Sequence, residues 1–332
     1  MRLVKRLFVL LMAAAVVLAG AGAWWLQQPL ALQNRAEALD LSIEPGLGAR
    51  SVADNVAGAG VEVNTSLLYA WFRLSGQARK IKAGSYEIER GTTPYTLLQL
   101  LVQGQESLRS VTLVEGWTFS QFRAALAKAP DLRMVMPDLT PEQVMAQLGQ
   151  PNQYWEGRFF PDTYTYAKGS TDIAVLKRAL HAMDKRLAAA WAQRSAASPL
   201  KTPYDALVLA SIVEKETGKA TDRPLVGGVF NNRLRIGMLL QTDPTVIYGM
   251  GERFDGNLRK RDLQADTPWN TYMRAGLPPT PIAMPGAASL LAAVQPANTK
   301  ALYFVARGDG SSQFSESLAE HNRAVNKYQR GK

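Results

Sequence analysis

Tyr204-Asp205-Ala206-Leu207-Val208-Leu209-Ala210-Ser211-Ile212-Val213-Glu214-Lys215-Glu216-Thr217, followed by Gly218, reads as a helix with a glycine stop. Leu207, Ala210, Ser211 and Glu214 are related by steps of three, four and seven, so Glu214 shares a face with small and apolar residues. Lys215 and Glu216 point elsewhere and read as surface charges. Glu214 falls in the final turn, where unsatisfied carbonyls disfavour a negative charge. An apolar surrounding acts in the same direction, so both effects favour the protonated acid that a proton donor needs. A fraying helix end at which Glu214 simply reaches water is the competing reading.

Downstream, Val229-Phe230-Asn231-Asn232-Arg233-Leu234 is a helical run bearing amides and an arginine. Leu239 to Gly249 then places Gln241, Thr242, Asp243, Thr245 and Tyr248 in an otherwise apolar segment. So many donors and acceptors are costly among Leu, Val and Ile unless they line a cleft. A loop rich in turn chemistry is the plainer alternative, with Asp243 capping a turn at Pro244. The proline-rich stretch Pro278 to Pro285 suits a rigid loop bordering a cleft. Ala301 to Ala306 suits a closing strand, and Leu318 to Tyr328 a terminal helix in which His321 is structural.

Upstream, Thr171 to Ala197 is a long helical stretch in which His181 sits at the surface or a core edge, and Ser195 to Pro203 marks a boundary. Tyr154 to Tyr166 packs aromatics beside Glu156, Arg158 and Asp162; this suits either a structural cluster or a wall for flat sugar rings. Val111 to Thr118 is a strand and turn leading into a helix from Phe119 to Ala127. Residues 41–105 read as a small β/α module. Strands at Leu41 to Ile43 and Gly84 to Ile88 alternate with helices at Ser51 to Gly58, Leu67 to Leu74 and from Thr93-Pro94 to Gly104. Gly46-Leu47-Gly48 lacks the third glycine of a dinucleotide turn and follows Pro45, which argues against a nucleotide site.

Arg2, Lys5 and Arg6 precede an unbroken apolar run from Leu7 to Leu26. Twenty residues at 1.5 Å span about 30 Å, the hydrocarbon thickness of a bilayer. The flanking cations predict a cytoplasmic tail (1–6), a transmembrane helix (7–26), a linker (27–40) and an exported body. Ala21-Gly22-Ala23 resembles a signal-peptide cleavage site, but the run is longer than a signal core. Composition narrows the chemistry. Without cysteine and with only His181 and His321, thiol nucleophiles, zinc fingers, iron–sulfur clusters and disulfides are excluded. Setting aside Arg2, Lys5 and Arg6 lowers the net charge from +10 to +7, which in an exported body suits an anionic polymer or lipid head groups, or equally a solvated surface with no partner, and not nucleic acid. The fold class expected is α+β: the single helix, the small module (41–105) and a larger mixed α/β domain (106–330).

Several of these stretches, in this order, resemble the bacterial endolytic murein transglycosylase (YceG-like) family. They are Ala210 to Thr217, Phe230 to Leu234, Leu240 to Val246, Asn270-Thr271-Tyr272 and Gly276-Leu277-Pro278-Pro279, preceded by Lys82 to Tyr86, Glu156-Gly157 and Phe160 to Tyr164. The similarity runs from about Leu41 to Tyr328, with Asn232 a small departure. It implies that residues 41–105 are LysM-like and that the chain cleaves the β-1,4 bond between N-acetylmuramic acid and N-acetylglucosamine without water, leaving 1,6-anhydromuramoyl ends. It also implies that Glu214 is the general acid and base. No second carboxylate is then required, because the C6 hydroxyl of the sugar is the nucleophile. Asn231, Gln241, Asp243, Thr245, Tyr248 and Glu156 become candidate substrate-binding residues. No metal or cofactor is implied. The expected partners are glycan strands, the inner membrane and peptidoglycan synthases. An anchored, non-catalytic peptidoglycan-binding scaffold and a hydrolytic muramidase are the alternatives.

Overall fold

The computed structural model describes residues 2–104 and 108–331. The chain divides into two compact units, one running to Arg109 and including Tyr166–Lys168, the other comprising Ser110–Thr165 and the chain from Gly169 onward. The boundary expected between residues 105 and 106 lies outside the described residues. Both units mix helices with two-stranded sheets.

The first unit holds α1 (Arg2–Trp25), β1 (Ala31–Leu32), β2 (Ala38–Ile43), α2 (Ala49–Gly58), β3 (Val61–Glu62), α3 (Thr65–Leu74), β4 (Gly84–Glu89) and α4 (Pro94–Gln103). Strands β2 and β4 pair antiparallel, from Ala38 opposite Glu89 to Ile43 opposite Gly84. Their alternation sends Leu41, Ile43, Tyr86 and Ile88 into a core completed by Val52, Val56, Leu68, Phe72 and Leu97. Helix α4 has the start and stop its sequence predicts. Thr93 and Thr96 form a reciprocal cap, Pro94 stands in the first turn, and Gly104 ends the helix in the left-handed region at φ 70°. Along α1 the side chains of Val9, Leu10, Leu11, Met12, Val16, Val17 and Leu18 are exposed. The expected tail (1–6) and the start of the expected span lie partly outside the described side chains. No helix among the described residues is long and apolar enough to cross a membrane.

Next along the chain come β5 (Leu108–Thr112), α5 (Phe119–Ala127), α6 (Pro141–Gln147), β6 (Thr163–Ala167), α7 (Asp172–Ala192) and α8 (Pro203–Glu216). They are followed by α9 (Arg223–Arg235), α10 (Asp243–Met250), α11 (Lys260–Leu263), α12 (Ala287–Val294), β7 (Tyr303–Ala306), β8 (Ser312–Ser315) and α13 (Leu318–Gln329). Helix α8 is the central element. Thr202 and Asp205 cap it, every residue from Ala206 to Val213 is buried, and α7, α9, α10 and α12 pack around it. It stops at Thr217, which is extended (φ −148°), so the glycine stop expected at Gly218 is not used. The polar segment after Leu239 is neither strand nor plain loop: Asp243 and Pro244 open α10.

Candidate active site

The last turn of α8 points its two glutamates in different directions, because residues two apart are separated by about 200° around a helix. Glu214 lies against the segment before α12. Its Oε2 accepts the Gly286 N–H at 2.9 Å, its Oε1 is 3.9 Å from Arg223 Nη2, and its side chain is 7% exposed. Ser211, on the same face, accepts the Ile282 N–H at 3.0 Å. Met284 bonds Gly116 and Trp117 through the backbone, which brings Glu115 to the same corner. The Glu115 carboxylate packs so tightly on Gly286 that a β-carbon there would come within 1.8 Å of it. Burial raises the Glu115 pKa and the neighbouring Glu214 adds to the rise, while Arg223 opposes it.

Glu216 lines a cavity of about 630 Å³, together with Arg233, Gln241, Asp243, Tyr272, Tyr303 and His321. The Thr242 hydroxyl donates to its Oε1. Burial pushes the Glu216 carboxyl above the usual carboxylate range and Asp243 adds to this, against the Thr242 hydrogen bond and the Arg233 charge. Arg233 is fixed by donating from Nε to the Leu302 carbonyl and from Nη1 to that of Leu240, both at 2.7 Å.

Two motifs distant in sequence form one hydrogen-bonded unit along this wall. Gln241 and Thr242 donate their backbone N–H groups to the Thr271 carbonyl and hydroxyl, each at 3.1 Å. The Thr245 hydroxyl lies 2.9 Å from that of Thr271 and donates to the Thr242 carbonyl at 2.8 Å. The Tyr272 hydroxyl donates to Asp243 Oδ1 at 2.5 Å. The network holds Gln241 in the left-handed region at φ 48°, a strained conformation for a residue with a β-carbon and of a kind that concentrates at functional sites.

Of the residues singled out from sequence, Gln241 and Asp243 line the cavity, whereas Glu214, Asn231, Thr245, Tyr248 and Glu156 do not. Asn231 is buried, and its amide donates to the carbonyls of Gly227 and Ala293, tying α9 to α12. Asn232 does the same for the chain before β7, through the carbonyls of Thr299 and Ala301. Thr245 serves the network described above. Glu156 is buried, accepting the Phe119 N–H at 2.9 Å and the Tyr248 hydroxyl at 3.2 Å, and Tyr248 packs on Trp269.

Sequence reasoning passed over Glu216, Arg233, Tyr272, Tyr303 and His321. For Glu216 the signal was present: Leu209, Ile212 and Val213 lie seven, four and three residues before it, an apolar face equal to that of Glu214. A helix buried all round cannot show by periodicity which of its faces meets a cavity.

A family model for the YceG-like family matches residues 41–327. An endolytic murein transglycosylase of Bacillus subtilis is 32% identical over 268 residues, covering 76% of this chain and 74% of its own length. An endolytic murein transglycosylase of Streptococcus pneumoniae is 26% identical over 325 residues, covering 88% of this chain but only 58% of its own. A crystal structure of a YceG-like protein from Listeria monocytogenes shares 27% identity, with a TM-score of 0.54 over 86% of this chain and 98% of that one. The chain belongs to the YceG-like family.

Proposed function

We propose that this protein is an endolytic murein transglycosylase. It cleaves the β-1,4 bond between N-acetylmuramic acid and N-acetylglucosamine within glycan strands and leaves 1,6-anhydromuramoyl ends. The names of the relatives support the reaction, and the cavity at the end of α8 supports its location. The observation that carries the assignment of the acid is that Glu216, not Glu214, opens on that cavity. Glu216, whose acid form is favoured by burial, gives its proton to the glycosidic oxygen as the bond to the anomeric carbon breaks. The resulting carboxylate takes the proton of the C6 hydroxyl as O6 bonds to that carbon, which regenerates the acid. Arg233, Gln241 and the Asp243–Tyr272 pair are placed to hold the sugar.

The test is mass analysis of the ends released from uncrosslinked glycan strands. Anhydro ends are expected; hydrated ends indicate a muramidase, and no product a non-catalytic scaffold. Glu216→Gln should lower the rate by roughly 10²–10⁴-fold without loss of thermal stability. A second assignment rests on the Glu115–Glu214 pair, in which Glu214 is the acid. Glu214→Gln abolishing product while Glu216→Gln stays active would establish that reading instead.

Residues 7–26 are the anchor in the inner membrane, with a cytoplasmic tail and the body in the periplasm near the synthases. The cations at Arg2, Lys5 and Arg6 and the exposed apolar side chains of α1 support this. Residues 41–105 are a LysM-like module that positions glycan.

A further inference from the structure

We propose that His321 is a substrate-contacting residue of this enzyme, donating a hydrogen bond from Nε2 to an acceptor oxygen of the sugar held against Glu216. This rests on the reading of the cavity given above, and it makes α13 part of the site. His321 lines the same cavity as Glu216, between Leu318 and Val325 on the inner face of α13. Its ring stacks on Tyr303, with centroids 5.2 Å apart and planes at 23°. The Arg233 guanidinium also lies over the Tyr303 ring, 5.3 Å from its centroid.

The two ring nitrogens differ. Among the described residues, Nδ1 is buried with no hydrogen-bond partner, whereas Nε2 is not one of the sealed, unpartnered atoms and makes no hydrogen bond to any of them. Burial lowers the imidazole pKa and the Arg233 charge adds to the effect, so the ring is neutral at physiological pH and carries a single N–H. A sealed N–H without an acceptor is costlier than a sealed lone pair, so the proton belongs on Nε2. A histidine kept only for packing gains nothing from a sealed, unsatisfied nitrogen, since phenylalanine would stack on Tyr303 without that cost. The polar ring is explained by what its other nitrogen offers in the cavity.

The experiment compares the full-length wild type with His321→Phe and His321→Gln, reading kcat and KM for anhydro-end formation and the melting temperature. A Glu216→Gln background gives glycan-strand binding without turnover. Expected for His321→Phe is a melting temperature equal to or above that of the wild type, with KM raised and strand binding weakened by about tenfold, the equivalent of one hydrogen bond. His321→Gln, whose amide can place an N–H near the Nε2 position, should recover part of the loss. Unchanged KM and binding in His321→Phe would overturn the proposal. So would losses that follow the melting temperature in both variants. Should the wild type release no anhydro ends, the enzymatic reading fails, while the binding comparison still decides the role of His321.

Discussion

Burial of Glu156 beneath Tyr248 and against the N-terminus of α5 raises its pKa to about 7, the desolvation cost exceeding what the Phe119 N–H and the Tyr248 hydroxyl return. Because the folded-state value lies above the ordinary 4.5, the native state binds more protons than the unfolded chain between the two values. The stabilisation is therefore complete below about pH 4.5 and is lost as the pH rises towards 7, with an upper bound on the order of 3 kcal/mol. Glu156→Gln removes the ionisation while its amide oxygen can still accept from Phe119. Melting temperatures measured from pH 4.5 to 8 should match the wild type at the acid end and exceed it at pH 8; parallel curves would mean that Glu156 is charged throughout. The density of aromatics around this residue was legible in the sequence, including the Tyr154–Trp155 pair, which stacks at 4.2 Å. Whether Glu156 faced substrate or core was not, because an aromatic cluster supplies the same residues to either.

At the scale of elements, the close approach of α9 to α12 has a single-atom cause. A β-carbon at Gly227 would stand 2.3 Å from the Ala292 carbonyl oxygen, and backbone cannot swing aside as a long side chain can. Gly227→Ala should destabilise the protein by about 1–3 kcal/mol in a denaturant titration, by forcing the helices apart and straining the Asn231 bonds to both. Gly58→Ala is the contrasting case: at the end of α2, with no atom within 4 Å of the new methyl group, it should stabilise by about 0.5–1 kcal/mol. Helices with caps and periodic apolar positions, such as α4 and α5, were readable from sequence within a residue or two. Helix α12 was not. Ala287 to Val294 is apolar almost throughout and follows a stretch of proline and glycine, so neither period nor propensity separates helix from buried strand. Missing α12 also hid where Glu214 points, since the segment entering this helix occupies the face on which that glutamate lies.

At the scale of the whole molecule, charge and hydropathy divide the labour between α1 and the rest of the chain. Three cations precede the apolar run and the remaining +7 is spread over the body, so the anchor reading depends on the uncharged stretch itself. Met12 and Val16 are one turn apart on α1 and both are exposed. An arginine near the centre of a membrane span costs about 2.5–3.5 kcal/mol on insertion scales. Met12→Arg with Val16→Arg should therefore cost roughly twice that, enough to move the full-length chain from the membrane pellet to the supernatant after an alkaline carbonate wash. The wild type should remain in the pellet, and external protease should reach the body but not the tail in cells whose outer barrier has been opened. A wild-type chain released by carbonate would remove the integral anchor. Any membrane association would then rest on surface charge alone and would vanish at high salt, where screening shortens the Debye length to about 3 Å.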